Sequence, residues 1–216
     1  MKSSSKHDEK TKDKLIQAAG EVFAQNGFQS ATIREICSRA GTHVGAVNYH
    51  FRDKEGLYTA VLEYTHQSMV EKYPADLGLQ NDTKPEEKLR AYIHSFLLRI
   101  LDEGVPAWHG KLMAREIVEP TNALDLMTRK SIQPLYTILE NVLREIFHEK
   151  NAAIEVKDID IFLCAMSIVG QCLNYYTSRR VIDNLHPEGF DPTDIEGVAN
   201  HITRFSLGGI MAFGAG

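Results

Sequence analysis

The sequence predicts an all-α protein, with a small helix-turn-helix unit at its N-terminal end and a larger helical body after it. Three observations support this fold class. Apolar residues recur along the chain with the period of about 3.6 residues that an α-helix produces. No window shows the strict alternation of a half-buried strand. Glycine, proline and short polar stretches separate the periodic segments, as expected for helices joined by turns.

The first two helices are defined by one apolar face each. The first ends near Asn26 and Gly27, and the second is expected to begin at Thr32, because Thr32 and Glu35 form a T-x-x-E capping box. Gly41 follows the second helix, where a left-handed residue can end it without steric cost. The apolar positions are Leu15, Ala18, Ala19, Val22 and Phe23 in the first helix, and Ile33, Ile36, Cys37 and Ala40 in the second.

A third short helix follows Gly41 and carries Val44, Val47 and Phe51 on its apolar side. The pair of helices around Gly41 therefore has the form of a helix-turn-helix. The second helix of such a pair can enter the major groove of DNA, and this one is small, polar and aromatic enough to do so. The residues left at the core edge or exposed are Thr42, His43, Ala46, Asn48, Tyr49 and His50.

Contacts with DNA bases are expected from the start and middle of the third helix. The Asn48 amide could pair with adenine, and Val44 or Ala46 could meet a thymine methyl group, unless Val44 belongs to the core. Thr32 stands at a helix N-terminus, which offers backbone N–H groups to a phosphate. Tyr49, His50 and Lys54 suit phosphate contacts, because a phenol, an imidazole and an ammonium can all donate to phosphate oxygens. His50 could instead take a hydrogen-bonded place in the core. The predicted DNA-binding residues are Thr32, Thr42, His43, Val44, Ala46, Asn48, Tyr49, His50 and Lys54.

The body of the chain continues with further helical segments. A long helix is stopped by Pro74, and a polar linker over 74–86 follows it. Pro134, near the start of a clean apolar stripe, indicates a helix start or a kink. The remaining predicted helices cover about 53–73, 89–101, 107–118, 132–147, 158–180 and 192–213.

The last two predicted helices differ from the others. Residues 158–180 are apolar nearly all round, which indicates burial on more than one side. Gly170, Gly208 and Gly209 permit close approach of a neighbouring helix. Apolar periodicity alone does not separate a subunit interface from an intrachain core.

Charge and cysteine content indicate a cytoplasmic protein with a mildly basic head. The 216 residues carry a net charge of −5, yet residues 1–56 hold nine Lys/Arg against seven Asp/Glu. That asymmetry is expected if only the head meets phosphate. The three cysteines have no paired spacing and favour a reducing compartment. No apolar run approaches the ~18 residues of a membrane-spanning helix, and the N-terminus lacks the hydrophobic segment of a secretory signal.

Catalytic and metal-binding motifs are not found in the sequence. There is no P-loop, G-x-S-x-G, H-E-x-x-H or C-x-x-C pattern. We therefore expect no catalytic residue, no metal and no cofactor. The alternatives to DNA binding are a helical adaptor that binds protein or, less favoured, an enzyme that modifies a small molecule.

The N-terminal segments LIQAAGEVFAQNGF (15–28), ATIREICSRAG (31–41) and VNYHFRDKEGLY (47–58) together resemble the DNA-binding domain of TetR-type transcriptional regulators. His43 stands where that family usually has a small N-capping residue, and Thr42 where an aliphatic residue is common. Asn48 occupies the first of two aromatic-type positions. These departures bear on the DNA sequence recognised. Residues 109–127, HGKLMAREIVEPTNALDLM, look like the CecR-type subgroup.

The resemblance implies a DNA-binding domain over 1–56 and an effector-binding and dimerisation domain over 57–216. It implies a homodimer through the helices near 158–180 and 192–213. The expected function is a repressor that binds a palindromic operator as a dimer and is released by a small-molecule effector, with no role for a membrane. Arg115 could meet an anionic effector or form an ion pair with Glu116. The effector-binding candidates are Trp108, Met113, Arg115, Glu116, Gln171, Asn174 and Tyr175.

Overall fold

The structure, a computed structural model, describes residues 2–80, 82–102, 106, 108–150, 156–191 and 193–212. Within these ranges the chain forms eleven α-helices and one π-helical turn and contains no strand, so the all-α class is confirmed. The helices are α1 (Lys2–Ser30), α2 (Ile33–Ala40), α3 (Val44–Phe51), α4 (Lys54–Lys72), α5 (Pro85–Leu101), α6 (Trp108–Val118), α7 (Ala123–Met127), α8 (Gln133–Lys150), α9 (Asp158–Thr177), α10 (Arg179–Leu185) and α11 (Ile195–Ala212), with the π-helical Thr128–Ile132 between α7 and α8.

The helix boundaries differ from the predicted ones in a few places. The predicted helix over 158–180 is two helices, because the backbone turns at Ser178 (φ −104°, ψ 16°) between α9 and α10. Helix α7 and the π-helical turn were not predicted. Pro134 lies at the second position of α8, directly after the π-helical turn, so it stands where the backbone changes from π-helical to α-helical. Residues 107, 192 and 213, at the ends of predicted helices, lie outside the described residues.

The helices group into two compact units. The first unit contains residues 1–68 and 103–132, and the second contains residues 69–102 and 133–216. Helices α6 and α7 therefore belong with the helix-turn-helix, although they lie far from it in sequence. The functional boundary expected between residues 56 and 57 stays a prediction.

The core of the first unit brings α6 against α1. Phe23 of α1 and Tyr58 of α4 meet edge to face, with ring centroids 4.9 Å apart. Gly20 of α1 has no room for a side chain, because a Cβ atom there would lie 2.4 Å from the Trp108 ring of α6. This close approach fixes α6 on the helix that also supports α2 and α3.

The second unit packs α5, α8, α9 and α11 around an apolar core. Helix α9 buries Ile161, Ala165 and Ile168 in that core but leaves its opposite side open. By length and composition α9 is the one described helix apolar enough to cross a membrane, so the expectation that no apolar run approaches that length is wrong. The exposed large apolar residues of α9 and α11 are Ile159, Phe162, Leu163, Met166, Phe205 and Met211.

Candidate nucleic-acid interface

Helix α2 is held at both ends by local contacts that the sequence predicts. Thr32 is its N-cap, and its Oγ1 accepts a hydrogen bond from the Glu35 N–H at 3.2 Å. Gly41 ends the helix in the left-handed conformation (φ 65°, ψ 39°), and its N–H points to the carbonyls of Cys37 and Ser38. These two caps define where α2 begins and where it ends before α3.

Helix α3 presents a different set of side chains to solvent from the set we expected. Val47 and Phe51 are buried, as predicted, and Val44 is 42% exposed. Ala46 is only 7% exposed and packs in the core, so the structure contradicts the expectation that it could reach a thymine methyl group. The helix is therefore rotated so that Val44, and not Ala46, is available to DNA.

The exposed face of α3 begins at its N-cap, His43, which makes no side-chain capping bond. Val44 and Asn48 follow one turn apart on this face, and Gly45 and Tyr49 form a parallel row. Tyr49 is 75% exposed. The Asn48 and Tyr49 side chains form no hydrogen bond with the described part of the chain, so their polar groups are available to a partner.

Two other predicted residues lie at the edges of this face. Thr42 is partly buried, and its N–H donates to the Cys37 carbonyl at 2.9 Å. His50 is partly buried beside Tyr49, with ring centroids 4.9 Å apart, and it makes no side-chain hydrogen bond to the described residues. Both can contribute to the rim of the surface.

Lys54 has a structural role that the sequence did not indicate. Its Nζ donates to the carbonyls of Phe28, Gln29 and Ala31 at 2.9, 3.2 and 3.1 Å. An ammonium group has three N–H donors, and all three are engaged here. This geometry does not support the predicted phosphate contact.

Two arginines that we did not predict are better placed for phosphate. Arg34, in the first turn of α2, and Arg52, directly after α3, are exposed and form no ion pair with any described residue. Arg39, by contrast, pairs with Glu35 at 2.9 Å. Arg52 was detectable from sequence, because it lies in the turn that follows a recognition helix.

The turn between α3 and α4 is tightly specified. Asp53 Oδ1 accepts from the Gly56 N–H at 2.8 Å, which caps the start of α4. A Cβ atom on Gly56 would lie 2.1 Å from the Phe51 carbonyl oxygen. The glycine therefore allows the end of α3 to approach the first turn of α4.

The predicted effector-binding residues do not fall in one unit. Trp108, Met113, Arg115 and Glu116 belong to the first unit, whereas Gln171, Asn174 and Tyr175 belong to the second. Trp108 lies buried in the core of the first unit. The expected Arg115–Glu116 ion pair is not formed, because the Arg115 guanidinium pairs with Glu119 at 3.4 Å.

Glu116 is fully buried and its carboxylate is fully engaged. Oε2 accepts from the Tyr58 hydroxyl at 2.6 Å, and Oε1 accepts from the N–H and hydroxyl of Thr121, both at 2.9 Å. Burial and the adjacent Glu116 carboxylate raise the pKa of Tyr58, which keeps its phenol protonated as the donor. Glu116 thus links α6 to α4 inside the first unit and is not free to hold an effector.

The three candidates of the second unit differ in what they can offer. Gln171 Nε2 donates to Ser206 Oγ at 3.4 Å, which joins α9 to α11. Asn174 Oδ1 accepts from Ser178 Oγ at 2.9 Å, at the break between α9 and α10. Tyr175 packs partly buried against the core. Their part in effector binding stays a prediction.

The N-terminal and C-terminal parts of the chain each match a known protein family. Residues 15–61 match the family described as bacterial regulatory proteins, tetR family. Residues 85–210 match the C-terminal domain of the HTH-type transcriptional dual regulator CecR. The chain is 26% identical over 183 residues to CecR of Shigella flexneri, which covers 81% of this chain and 79% of the relative. It is also 36% identical over 72 residues to the HTH-type transcriptional regulator SrpR of Pseudomonas putida, covering 33% and 34% of the two chains.

Solved structures share the fold. The putative fatty acid metabolism regulator of Clostridium perfringens superimposes with a TM-score of 0.68 at 23% identity, over 91% of this chain and 97% of that one. The transcriptional regulator FadR of Bacillus subtilis, solved in complex with stearoyl-CoA, gives a TM-score of 0.68 at 19% identity over the same shares.

Proposed function

Because this chain belongs to the TetR-type family of bacterial transcriptional regulators and carries a CecR C-terminal domain, we propose that it is a ligand-responsive repressor that binds a palindromic operator as a homodimer in the cytoplasm. The relatives named above are regulators, whereas the adaptor and enzyme alternatives have no observation in their favour. The observation that carries the proposal is the exposed face of α3, where the Asn48 and Tyr49 side chains make no hydrogen bond to any residue that the structure describes.

This face has the chemistry that base readout requires. The Asn48 amide offers a donor and an acceptor, which match the N7 and N6 edge of adenine in the major groove. Val44 offers a methyl surface one turn away, suited to a thymine methyl group. Arg34, Arg52 and Tyr49 lie around them and can donate to phosphate oxygens, which position the helix without reading sequence.

The charges of the two units also support DNA binding by the first unit and not by the second. The first unit holds thirteen Lys/Arg and twelve Asp/Glu, and the second holds eleven and seventeen. An acidic second unit repels the phosphate backbone, so binding is directed to the helix-turn-helix.

The homodimer is proposed to form through the open face of α9 and α11. Ile159, Phe162, Leu163 and Met166 recur on α9 at the spacing of one helix face, and all four are exposed in the single chain. A Cβ atom on Gly170, Gly208 or Gly209 would meet nothing within 4 Å, so these glycines face open space that a second chain can occupy. Two such helices from each chain would form a four-helix interface and hold two α3 helices about 34 Å apart, one turn of DNA.

Release by an effector requires a structural change that reaches α3, and contacts within the first unit couple α6 to the helices around α3. Helix α6 is tied to α4 by the Glu116–Tyr58 hydrogen bond and packs on α1 through Trp108 and Gly20. A displacement of α6 would therefore move the helices that support α2 and α3. The effector must bind the displaced state more tightly than the DNA-bound state for this coupling to work.

The proposal is tested by selecting genomic DNA fragments with the purified protein at near-physiological salt, followed by titration of the recovered site. We expect a palindromic site. Asn48→Ala should weaken its binding by about tenfold or more, since a bidentate base contact contributes about 1–3 kcal/mol. Asn141→Ala, an exposed change on α8, is the matched control and should bind as the wild type does. Recovery of weak, sequence-independent binding alone, unchanged by Asn48→Ala, would contradict the proposal.

A further inference from the structure

Arg99, in the last turn of α5, carries a positive charge into the second unit without an ion-pair partner among the described residues. Its Nη1 donates to the Tyr73 carbonyl at 2.7 Å and to Ser95 Oγ at 2.5 Å. Its Nη2 is shielded from solvent and has no hydrogen-bond partner in the described part of the chain. The Phe96 ring lies 5.6 Å from the guanidinium carbon. Since a guanidinium stays charged in proteins, one buried edge of this cation lacks an anion.

Other cations of the same unit are placed differently. Asp102 follows Arg99 by one helical turn, but it accepts hydrogen bonds from Lys72 and from the Tyr73 hydroxyl, both at 2.6 Å. The described carboxylate nearest to Arg99 in sequence, Asp102, therefore bonds to other groups. The paired cations of this unit include Lys72 with Asp102, Lys88 with Glu145, Arg90 with Glu196, and Arg144 with Glu140 and Asp158.

The ionisable groups that interact electrostatically with Arg99 are Tyr92 and Cys172, and neither supplies the missing negative charge. Burial raises the pKa of Tyr92 to about 12 and that of Cys172 to about 12, so both are neutral at physiological pH. The Tyr92 hydroxyl forms no hydrogen bond with the described residues and can itself donate to an acceptor. Burial lowers the pKa of Arg99, the direction expected for a cation whose surroundings offer little compensation.

We propose that Arg99 binds the carboxylate of the effector, and that the effector is a small amphipathic monocarboxylic acid. The proposal rests on the proposed function above, since it identifies the chemical class of the molecule that releases the operator. The apolar part of the molecule would lie against Phe96, which is partly buried against the core and lies beside the guanidinium.

A carboxylate fits this position better than a phosphate ester. The planar guanidinium binds a carboxylate through two parallel N–H···O bonds, and a single negative charge matches a single cation. A phosphate ester carries about −1.5 to −2 charges at neutral pH and calls for more than one positive group. Lys72, the nearby lysine, is already paired with Asp102.

The first test needs no ligand. Arg99→Met removes the charge and keeps an unbranched apolar side chain of similar length. The Tyr73 carbonyl keeps its hydrogen bond from Ser95 Oγ at 2.7 Å, so the substitution leaves that acceptor satisfied. We expect the melting temperature of the ligand-free variant to equal or exceed that of the wild type. A clear fall would show that Arg99 supports the fold, and this would overturn the proposal.

The second test uses matched probes on the full-length protein. Octanoate and 4-phenylbutyrate are titrated against octanamide and 4-phenylbutanamide, with melting temperature and calorimetry as readouts. We expect the acids to bind the wild type and the amides to bind at least about tenfold more weakly, a difference of about 1.4 kcal/mol. Arg99→Met should lose this preference, Arg99→Lys should keep part of it, and Arg90→Met, on the exposed side of α5, should keep all of it.

The outcomes separate this inference from the proposed function. Equal binding of acids and amides, unchanged binding by Arg99→Met, tighter binding of octyl phosphate, or no binding of either acid at millimolar concentration would each overturn the carboxylate assignment. A wild type that binds the acids through Arg99 but recovers no specific DNA site would instead overturn the repressor function and leave this inference standing.

Discussion

The Lys54 ammonium illustrates how one side chain joins two helices of the DNA-binding unit. It donates to the carbonyls of Phe28 and Gln29 in the last turn of α1 and of Ala31 directly after it, and it lies 4.6 Å from the centroid of the Phe28 ring. The carbonyl end of a helix carries a partial negative charge, so a cation is favourable there. Lys54 begins α4, and these bonds therefore fix α4 to α1 directly after the recognition helix.

Lys54→Met should lower the free energy of unfolding by about 1–3 kcal/mol, because three charge-assisted hydrogen bonds, two of them partly buried, are lost. Arg52→Met, two residues away, is the matched control, since Arg52 is exposed and pairs with no carboxylate among the described residues. It should change stability by less than about 0.5 kcal/mol but weaken DNA binding and reduce its salt dependence. Urea unfolding and operator titration at several salt concentrations measure both effects. If Lys54→Met lost DNA affinity at unchanged stability, Lys54 would be a phosphate contact after all.

His109 is a second residue whose environment has a measurable consequence. It is 4% exposed, and neither ring nitrogen has a hydrogen-bond partner among the described residues. Its ring stands against Trp108, with centroids 4.1 Å apart, and Tyr64 lies 6.2 Å away. Burial lowers the pKa of His109 below its ordinary value of 6.5, so the folded protein holds the imidazole neutral.

Stability should therefore decrease as the pH falls below about 6.5, since the unfolded chain then binds a proton that folded His109 does not. His109→Phe should remove this part of the pH dependence. His94, whose pKa burial and Arg90 also lower, contributes in the same direction and is retained in both proteins. The melting temperatures of the wild type and of His109→Phe are compared between pH 7.5 and pH 5. Parallel curves would mean that His109 is hydrated or protonated in the folded state.

At the scale of elements, the turn from α3 to α4 depends on Gly56 for steric reasons. The Phe51 carbonyl occupies the space that a Cβ atom on Gly56 would need. Because that carbonyl is backbone at the end of the recognition helix, it can move only if α3 moves. The turn therefore determines how α3 is presented.

Gly56→Ala should destabilise the protein by roughly 3 kcal/mol or more, because the 2.1 Å contact has to be relieved by a backbone shift. Gly45→Ala is the comparison within the same unit. A Cβ atom there would meet the exposed His43 ring at 3.0 Å, which can rotate away, and the change should add up to about 1 kcal/mol of helix stability. Calorimetry of both variants tests the pair. Equal, small effects would show that the α3–α4 turn relaxes freely.

Local signals predicted some elements well, and tertiary contacts determined the rest. The Thr32 cap and the Gly41 end of α2 rest on residues three or four positions apart, so the sequence contains them completely. The rotation of α3, which buries Ala46 and exposes Val44, depends on the helices it packs against. The Tyr58–Glu116 hydrogen bond joins residues 58 positions apart, so no local sequence pattern predicts it. The sequence likewise does not show that Arg99 Nη2 is buried without a hydrogen-bond partner among the described residues, because this depends on which side chains pack around it.

At the scale of the whole molecule, the open face of α9 is the feature that a single chain does not explain. Only 28% of the 18-residue apolar stretch within α9 is buried inside the chain. A contiguous apolar face of this kind marks an interaction site, because monomeric soluble proteins rarely leave one exposed. The neighbouring α11 also exposes Phe205 and Met211.

Phe162→Glu on α9 should convert the dimer to a monomer, because it places a charge at the centre of the proposed interface, where no partner can compensate it. Val118→Glu on α6 is the control, since Val118 is 78% exposed and lies in the other unit. Sedimentation velocity should give a dimer for the wild type and the control and a monomer for Phe162→Glu.

The same monomer should lose operator affinity by well over about tenfold while its melting curve stays cooperative, since two half-sites then bind independently. A wild type that sediments as a monomer and floats with lipid vesicles would contradict the dimer and assign the α9 face to a membrane surface instead. A Phe162→Glu variant that remains dimeric would move the interface elsewhere on the chain. In either case the spacing of the two recognition helices would no longer follow from α9 and α11, and a palindromic operator would need another explanation.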